Sequence, residues 1–277
     1  MPGMQYINLD RETNDFQHLE VLKRNRNKRH RYGEIFVESV ACINALLATG
    51  WELTSVAYHG ERELSSWAKE VIATGNPQKV FRLIGPLMEK LSEREEPSEL
   101  IVTAKMKRQG LEDIPLTDST TLLIFDRPSN HGNLGSIMRS SDAFGVNGII
   151  TTGHSVDIYD PVVLRASLGA FFHLPVIHCP SIRELGQWLD RVRAEVPGFK
   201  VVGTSPSAHR MLHEIDLTGP VALVVGNEFS GVSRAITEMV DEMALIPMQG
   251  TVDSLNAACA GTVALYEMVR QRLTVHR

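Results

Sequence analysis

The spacing of apolar residues changes character at about residue 113, and each half predicts alternating helices and strands. In the first half, a short helix is expected over residues 15–24. Ile35, Phe36, Val40, Ile43, Leu46 and Leu47 then recur at helical spacing and stop near Gly50, which predicts a second helix. Strands are expected at 52–58, 80–83 and 99–104, and helices at 64–74 and 86–92. An acidic surface tail follows at Glu93, Glu95 and Glu96. Residues 1–10 carry no clear pattern and read as loose. This alternation describes a small α/β domain. Residues 105–119 are polar, contain Gly110 and Pro115, and read as a linker. The expected domains are therefore 1–113 and 114–277.

In the second half the alternation is more regular. Strands are expected at 121–125, 148–151, 175–178, 200–202, 221–225 and 244–246. Helices are expected at 134–144, 161–171, 182–192, 233–240 and 254–272. The runs Leu122 to Phe125 and Val221 to Val225 are apolar throughout rather than alternating. Such runs belong to a parallel sheet covered on both faces. Periodicity alone gives an open, doubly wound α/β domain that binds ligands at the C-terminal ends of its strands.

Composition adds exclusions. With 277 residues and 43% hydrophobic content, the chain is large enough for one or two real cores. Cys42, Cys179 and Cys259 are scattered without CxxC or CxxH spacing. This argues against a disulfide framework or zinc site and for a reducing compartment. There is no charged-then-apolar leader and no apolar run of about 18 residues, so a cytoplasmic protein without a membrane span is expected. GxGxxG, GxxxxGK[ST] and HExxH are missing, which disfavours a nicotinamide dehydrogenase, a P-loop NTPase and a zincin.

A net charge of −5 argues only weakly against a nucleic-acid partner, because distribution matters more. Lys23, Arg24, Arg26, Lys28, Arg29 and Arg31 crowd into one stretch with no carboxylate among them. The stretch suits phosphate binding, with a solvated basic loop as the plainer alternative.

Three strand–turn–helix loops stand out: Asn133 to Arg139, Val225 to Gly231, and Ile246 to Asn256. Each residue in them has an ordinary structural reading. Asn133 suits a helix cap, and Asp253, Ser254 and Asn256 suit the start of the last helix. Glu228 suits a helix dipole, and Arg139 suits a surface pair with Asp142 at i+3. Ile246 and Leu255 read as core.

Together, however, the loops resemble the SpoU-type branch (TrmH family) of SPOUT RNA methyltransferases. Asn133-Leu-Gly-Ser-Ile-Met-Arg139 with Ala143-Phe-Gly145 looks like the motif N-x-G-x-x-x-R followed by A-F-G. Gly226-Asn-Glu228-Phe-Ser-Gly231 looks like G-x-E-x-x-G, and Ile246-Pro-Met-Gln-Gly250 with Ser254-Leu-Asn256 looks like I-P-M-x-G-x-x-x-S-L-N. Arg31-Tyr-Gly-Glu-Ile-Phe-Val-Glu38 more loosely resembles the start of the ribosomal-protein-like RNA-binding domain that often precedes this fold. One departure is Asn256-Ala-Ala-Cys259, where the family commonly continues N-V-S-V-A, so Ala258 replaces a serine.

The resemblance implies a trefoil-knotted, SPOUT-type parallel-sheet domain after a small α/β RNA-binding domain. It implies transfer of methyl from S-adenosylmethionine (AdoMet) to a ribose 2′-hydroxyl, with ribosomal RNA favoured over transfer RNA by fold analogy. Gly226, Ile246 and Leu255 would contact AdoMet. Arg139, Asn133, Glu228, Ser254 and Asn256 would form the catalytic set, without a metal. A guanidinium is normally a donor only, so Arg139 is favoured as an electrostatic stabiliser of the forming alkoxide, with direct proton abstraction left open. The resemblance further implies a homodimer through the knotted domain. The alternative is a catalytically silent RNA-binding or ribosome-assembly factor of the same fold.

Overall fold

The computed structural model describes residues 4–275 apart from Glu93 and Glu95, so of the acidic tail only Glu96 lies among the described residues. The chain divides into two compact units. One comprises residues up to Arg108 together with Tyr159–Phe172, and the other comprises Gln109–Ile158 and His173 onward.

The first unit runs β1 (Gln5–Leu9), α1 (Asn14–Arg24), α2 (Arg26–Tyr32), β2 (Glu34–Glu38), α3 (Val40–Ala48), β3 (Leu53–His59), α4 (Ser66–Gly75), β4 (Lys79–Leu83), α5 (Gly85–Leu91) and β5 (Leu100–Lys105). Its sheet has the order β1-β4-β3-β5-β2. Strands β1, β4 and β3 are parallel, and β5 runs against both neighbours. Phe16, Leu19 and Leu22 of α1 pack with Phe36, Phe81 and Met88 in its core.

Two expectations fail here. Residues 5–9 are ordered as an edge strand on β4, held by backbone bonds that need no hydrophobic pattern. Ile35 and Phe36 belong to a strand, not to the helix beginning at Val40. Gly33 at φ +65° ends α2, and Ser39 at φ 134° separates β2 from α3. Ile35, Phe36 and Val37 are all buried, so both faces of β2 are covered and its pattern is not alternating.

The second unit holds β6 (Thr121–Asp126), α6 (His131–Ala143) and β7 (Gly148–Thr152). The chain then returns to the first unit for α7 (Pro161–Ser167) and α8 (Ala170–His173, except its last residue). One helix was expected over 161–171. Leu168 and Gly169, both at positive φ, break it. A Cβ on Gly169 would sit 2.9 Å from the Ala45 Cβ, so the break also allows close packing on α3. A boundary at residue 113 thus misses both the earlier junction and this returning segment.

The second unit continues with β8 (Val176–Cys179), α9 (Ile182–Glu195), β9 (Lys200–Thr204), β10 (Arg210–Met211), β11 (Val221–Val225), α10 (Arg234–Thr237), β12 (Glu242–Leu245) and α11 (Ala257–Val275). Its seven strands are all parallel in the order β10-β12-β9-β11-β6-β7-β8. Every residue of β6 and β11 is buried, as their unbroken apolar runs require. From β6 the chain moves outward to β7 and β8, then returns to the other side of β6. The C-terminal ends of β6 and β11 therefore flank the point where strand order reverses, and side chains above such a point are free to meet a ligand.

Candidate functional site

Strand β6 ends on Asp126, a fully buried carboxylate. Its Oδ1 accepts from the Thr152 hydroxyl at 2.6 Å, and its Oδ2 accepts from the Ser233 backbone N–H at 2.7 Å. Arg127 adds a bond to the same carboxylate at 3.2 Å and reaches the Gly231 carbonyl at 3.0 Å. Burial opposes ionisation of Asp126, yet the bonds from Thr152, Arg127 and Ser233 outweigh it and hold the carboxyl below its usual range. The result clamps the end of β6 to the loop after β11.

That loop is itself closed. Asn227 and Gly231 exchange two backbone hydrogen bonds of 3.0 Å, and the Asn227 side chain accepts from the N–H groups of Phe229 and Ser230. A Cβ on Gly226 would lie 2.3 Å from the carbonyl carbon of Gly231 and 2.3 Å from the nitrogen of Val232, so only glycine fits.

The clamp fixes Glu228, whose carboxylate accepts from the Ser129 N–H and hydroxyl, the Asn130 N–H and Asn133 Nδ2. Burial again works against its charge, but the bonds from Ser129 and Asn133 prevail and hold it low. Asn133 in turn accepts from Asn256 Nδ2 at 2.9 Å. Asn256 Oδ1 accepts from the Ala258 and Cys259 N–H groups and caps α11. One polar chain therefore runs from the Glu228 carboxylate through two amides to a helix start. The orientation of each amide is fixed by its neighbour.

Some expectations are corrected. Asn256 caps the last helix, which begins at Ala257 rather than 254. Asn130, not Asn133, caps α6. Glu228 binds the start of α6 instead of preceding a helix of its own. Arg139 is exposed and does not pair with Asp142, which binds His173 at 3.1 Å. Among the described residues Arg139 has no hydrogen bond to Asn133 or Glu228, so neither holds it. Cys259 is exposed, whereas Cys42 and Cys179 are buried and burial raises their thiol pKa values.

Beside the polar chain lies a small pocket, open to solvent. Ile246, Met248 and Leu255 supply apolar walls, and Thr204, Asp253 and Ser254 supply polar atoms. Such a mixed lining suits an amphipathic small molecule. Gly226 and Asn256 are not part of this lining. Helix α11 packs closely on α6, because a Cβ on Gly261 would lie 2.6 Å from Ile137 Cδ1. The Ser140 and Thr262 hydroxyls join the two helices at 2.7 Å.

The basic stretch divides in two. Lys23 is buried, and its Nζ donates to the carbonyls of Lys90 and Ser92. Arg29 is 1% exposed; it donates to the Leu22 and Lys23 carbonyls and pairs with Asp160 at 3.0 Å. Neither is available to a phosphate, which corrects their assignment. Arg24, Arg26 and Arg31 are exposed and Lys28 is half-buried, so these four keep a charged surface.

Sequence reasoning missed Asp126, Arg127, Ser129 and Asn227. The available signal was a carboxylate closing an otherwise apolar strand, since a buried charge needs partners.

Residues 120–266, more than half the chain, match the model of the SpoU rRNA methylase family, and residues 13–102 match the SpoU L30e-like domain. The chain belongs to the SpoU family. It is 39% identical over 259 residues to a 23S rRNA (uridine(2479)-2′-O)-methyltransferase of Streptomyces viridochromogenes, covering 94% of this chain and 90% of that one. The 23S rRNA (guanosine-2′-O-)-methyltransferase RlmB of Pseudomonas aeruginosa is 31% identical over 230 residues, covering 82% of this chain and 81% of that one. Among solved SpoU structures, AviRb from S. viridochromogenes in complex with AdoMet superposes with a TM-score of 0.90 at 39% identity, covering 95% of this chain and 99% of that one.

Proposed function

We propose that this chain is an AdoMet-dependent RNA 2′-O-ribose methyltransferase with ribosomal RNA as its substrate. The observation that carries this is the convergence of three distant loops. Glu228, Asn133 and Asn256 form one hydrogen-bonded chain beside the pocket of Ile246, Ser254 and Leu255. The relatives named as rRNA 2′-O-methyltransferases and the AdoMet-bound neighbour support the same reading.

The pocket fits the cofactor in chemistry. The Ile246 and Leu255 walls suit an adenine face, with nearby main-chain groups reading its edge, and the Asp253 carboxylate suits a cationic group. Gly226 keeps the neighbouring backbone close. When bound, AdoMet supplies a methyl group already activated on a sulfonium. The protein then has to orient the acceptor hydroxyl, stabilise the charge that develops as its proton leaves, and exclude water. Ser254, which lines the pocket, hydrogen-bonds the ribose in this reading. Glu228, Asn133 and Asn256 lock the loops that carry these groups. Arg139 stabilises the forming alkoxide as a fixed positive charge.

Arg139 does not line the pocket of its own chain, and it lies on α6 beside α11, which exposes Val263 and Tyr266. This supports a homodimer through the second unit, in which Arg139 serves the pocket of the partner subunit. The trefoil knot belongs to the same reading, as does a cytoplasmic location. Arg24, Arg26, Lys28 and Arg31 supply phosphate contacts from the first unit. No group of three or more potential ligands that could hold a metal occurs among the described residues, and no helix there is long and apolar enough to cross a membrane.

The deciding experiment is transfer of labelled methyl from AdoMet into ribosomal RNA, wild type against Arg139→Ala. Incorporation by the wild type that the variant loses supports the reading. No incorporation by either, with RNA still bound, favours a silent binding factor.

A further inference from the structure

Phe229 is 93% exposed, more than any other large hydrophobic residue noted on this surface. An aromatic ring in water gains nothing for folding; a single exposed ring is ordinary on a protein surface, and what distinguishes this one is its mount and its position. Nor is it on a loose loop. The Asn227–Gly231 exchange and the Asn227 side chain fix the backbone around it, and the next residue back is Glu228, held by Ser129, Asn130 and Asn133. The ring is therefore presented on a rigid support one position from the site.

Its surroundings indicate what it meets. Phe229 lines a wide, open cleft with Ser207, His209, Arg210 and Ser230. Ser205 and Pro206 line both this cleft and the pocket of Ile246 and Leu255, so the two are contiguous. Arg210 is engaged by Glu242 and the Glu214 carbonyl, so the ring is set chiefly among the Ser207, Ser230 and Thr237 hydroxyls beside His209. An isolated aromatic plane among such groups matches an unpaired nucleotide. The ring offers a stacking face, and the rim offers partners for sugar and phosphate. A duplex presents no base face to such a ring.

We propose that Phe229 is a substrate-positioning residue that stacks on an unpaired nucleobase of the RNA. This rests on the methyltransferase reading above and narrows its substrate class to single-stranded or loop nucleotides.

The test measures binding of a fluorescein-labelled single-stranded RNA 12-mer, the same strand in a duplex, and AdoMet to the 277-residue chain. It uses wild type, Phe229→Ala, Phe229→Leu and Phe229→Tyr. Base–aromatic stacking predicts about 5- to 150-fold weaker single-strand binding for the Ala variant. The Leu variant stays weak and the Tyr variant recovers, while duplex and AdoMet affinities do not move. Equal single-strand affinity for wild type and Ala overturns the proposal. So does recovery by Leu, a loss of AdoMet affinity instead, or a change in sedimentation showing that a second copy of the chain covers the ring. Because these readouts are binding constants, they stand apart from methyl incorporation, whose absence in the wild type would instead end the methyltransferase reading.

Discussion

Asn256 Nδ2 donates to Asn133 Oδ1 at 2.9 Å, joining side chains 123 positions apart. Asn133 uses its Nδ2 on Glu228, and Asn256 uses its Oδ1 to cap α11. Breaking one member therefore leaves its neighbours unpaired. Asn256→Ala is expected to lower stability by about 1–2 kcal/mol, mostly through loss of the cap. Asn133→Ala and the double variant should be non-additive by about 0.5 kcal/mol or more. Urea unfolding of the four proteins measures this. Strict additivity would show that the bond does not couple the loops.

Arg139 offers the opposite profile. It is exposed and makes no hydrogen bond or ion pair among the described residues, so Arg139→Ala should change stability by less than about 0.5 kcal/mol. Methyl transfer should nevertheless fall by roughly 10²–10³, the typical cost of losing one transition-state charge partner. Mixing Arg139→Ala with a variant that cannot hold AdoMet should restore roughly a quarter of wild-type activity. Half of random dimers are then mixed, and each has one complete site. No restoration would place Arg139 in the pocket of its own subunit.

Gly226→Ala tests the close approach after β11. The new Cβ would meet backbone atoms of Gly231 and Val232, which cannot rotate away. A loss of about 1–3 kcal/mol is expected, with weaker AdoMet binding as the loop shifts Glu228. Thermal unfolding and calorimetry follow the two effects. An unchanged melting temperature would mean that the loop yields without resistance.

Much of this architecture was legible because parallel strands buried on both faces must read as continuous apolar runs. Thr121–Asp126 and Val221–Val225 show this directly. The site motifs were legible as loops, but not as contacts. No local pattern could show that Asn256 meets Asn133, since that pairing depends on where two strands end. Lys23 and Arg29 were misread for a related reason. A run of basic residues does not reveal which side chains turn inward to buried carbonyls and to Asp160. The edge strand Gln5–Leu9 was invisible because main-chain pairing defines it, and Tyr6 faces solvent.

The two classes of basic residue separate experimentally. Ala substitutions at Arg24, Arg26, Lys28 and Arg31 should weaken RNA binding without loss of stability. Each should reduce the salt slope of log K by about 0.7 for single-stranded RNA. Arg29→Ala should instead destabilise the first unit by about 3 kcal/mol, because a buried guanidinium that pairs with Asp160 and donates to two carbonyls is removed. Filter binding across salt concentrations and urea unfolding distinguish them. A salt slope unchanged in all four surface variants would remove this patch from the RNA interface.

Asp126 makes stability depend on acid. Its folded pKa is lowered, so its contribution is complete above the ordinary carboxylate value of about 3.9 and is lost as pH falls through the folded value. Asp126→Asn keeps the shape but removes the charge: its oxygen can still accept from Ser233 N–H and Arg127, while its NH₂ faces the Thr152 hydroxyl, which must turn to accept. At pH 7 the variant should be less stable by about 2–4 kcal/mol, as expected for bonds to a buried charge. Because Asn does not titrate, the gap between the two proteins should stay constant from pH 7 to about 5 and narrow below about 4. Urea unfolding at several pH values measures the gap. If it widened in acid, the folded carboxyl would lie above its unfolded value, and the hydrogen bonds from Thr152, Arg127 and Ser233 would not be overcoming burial.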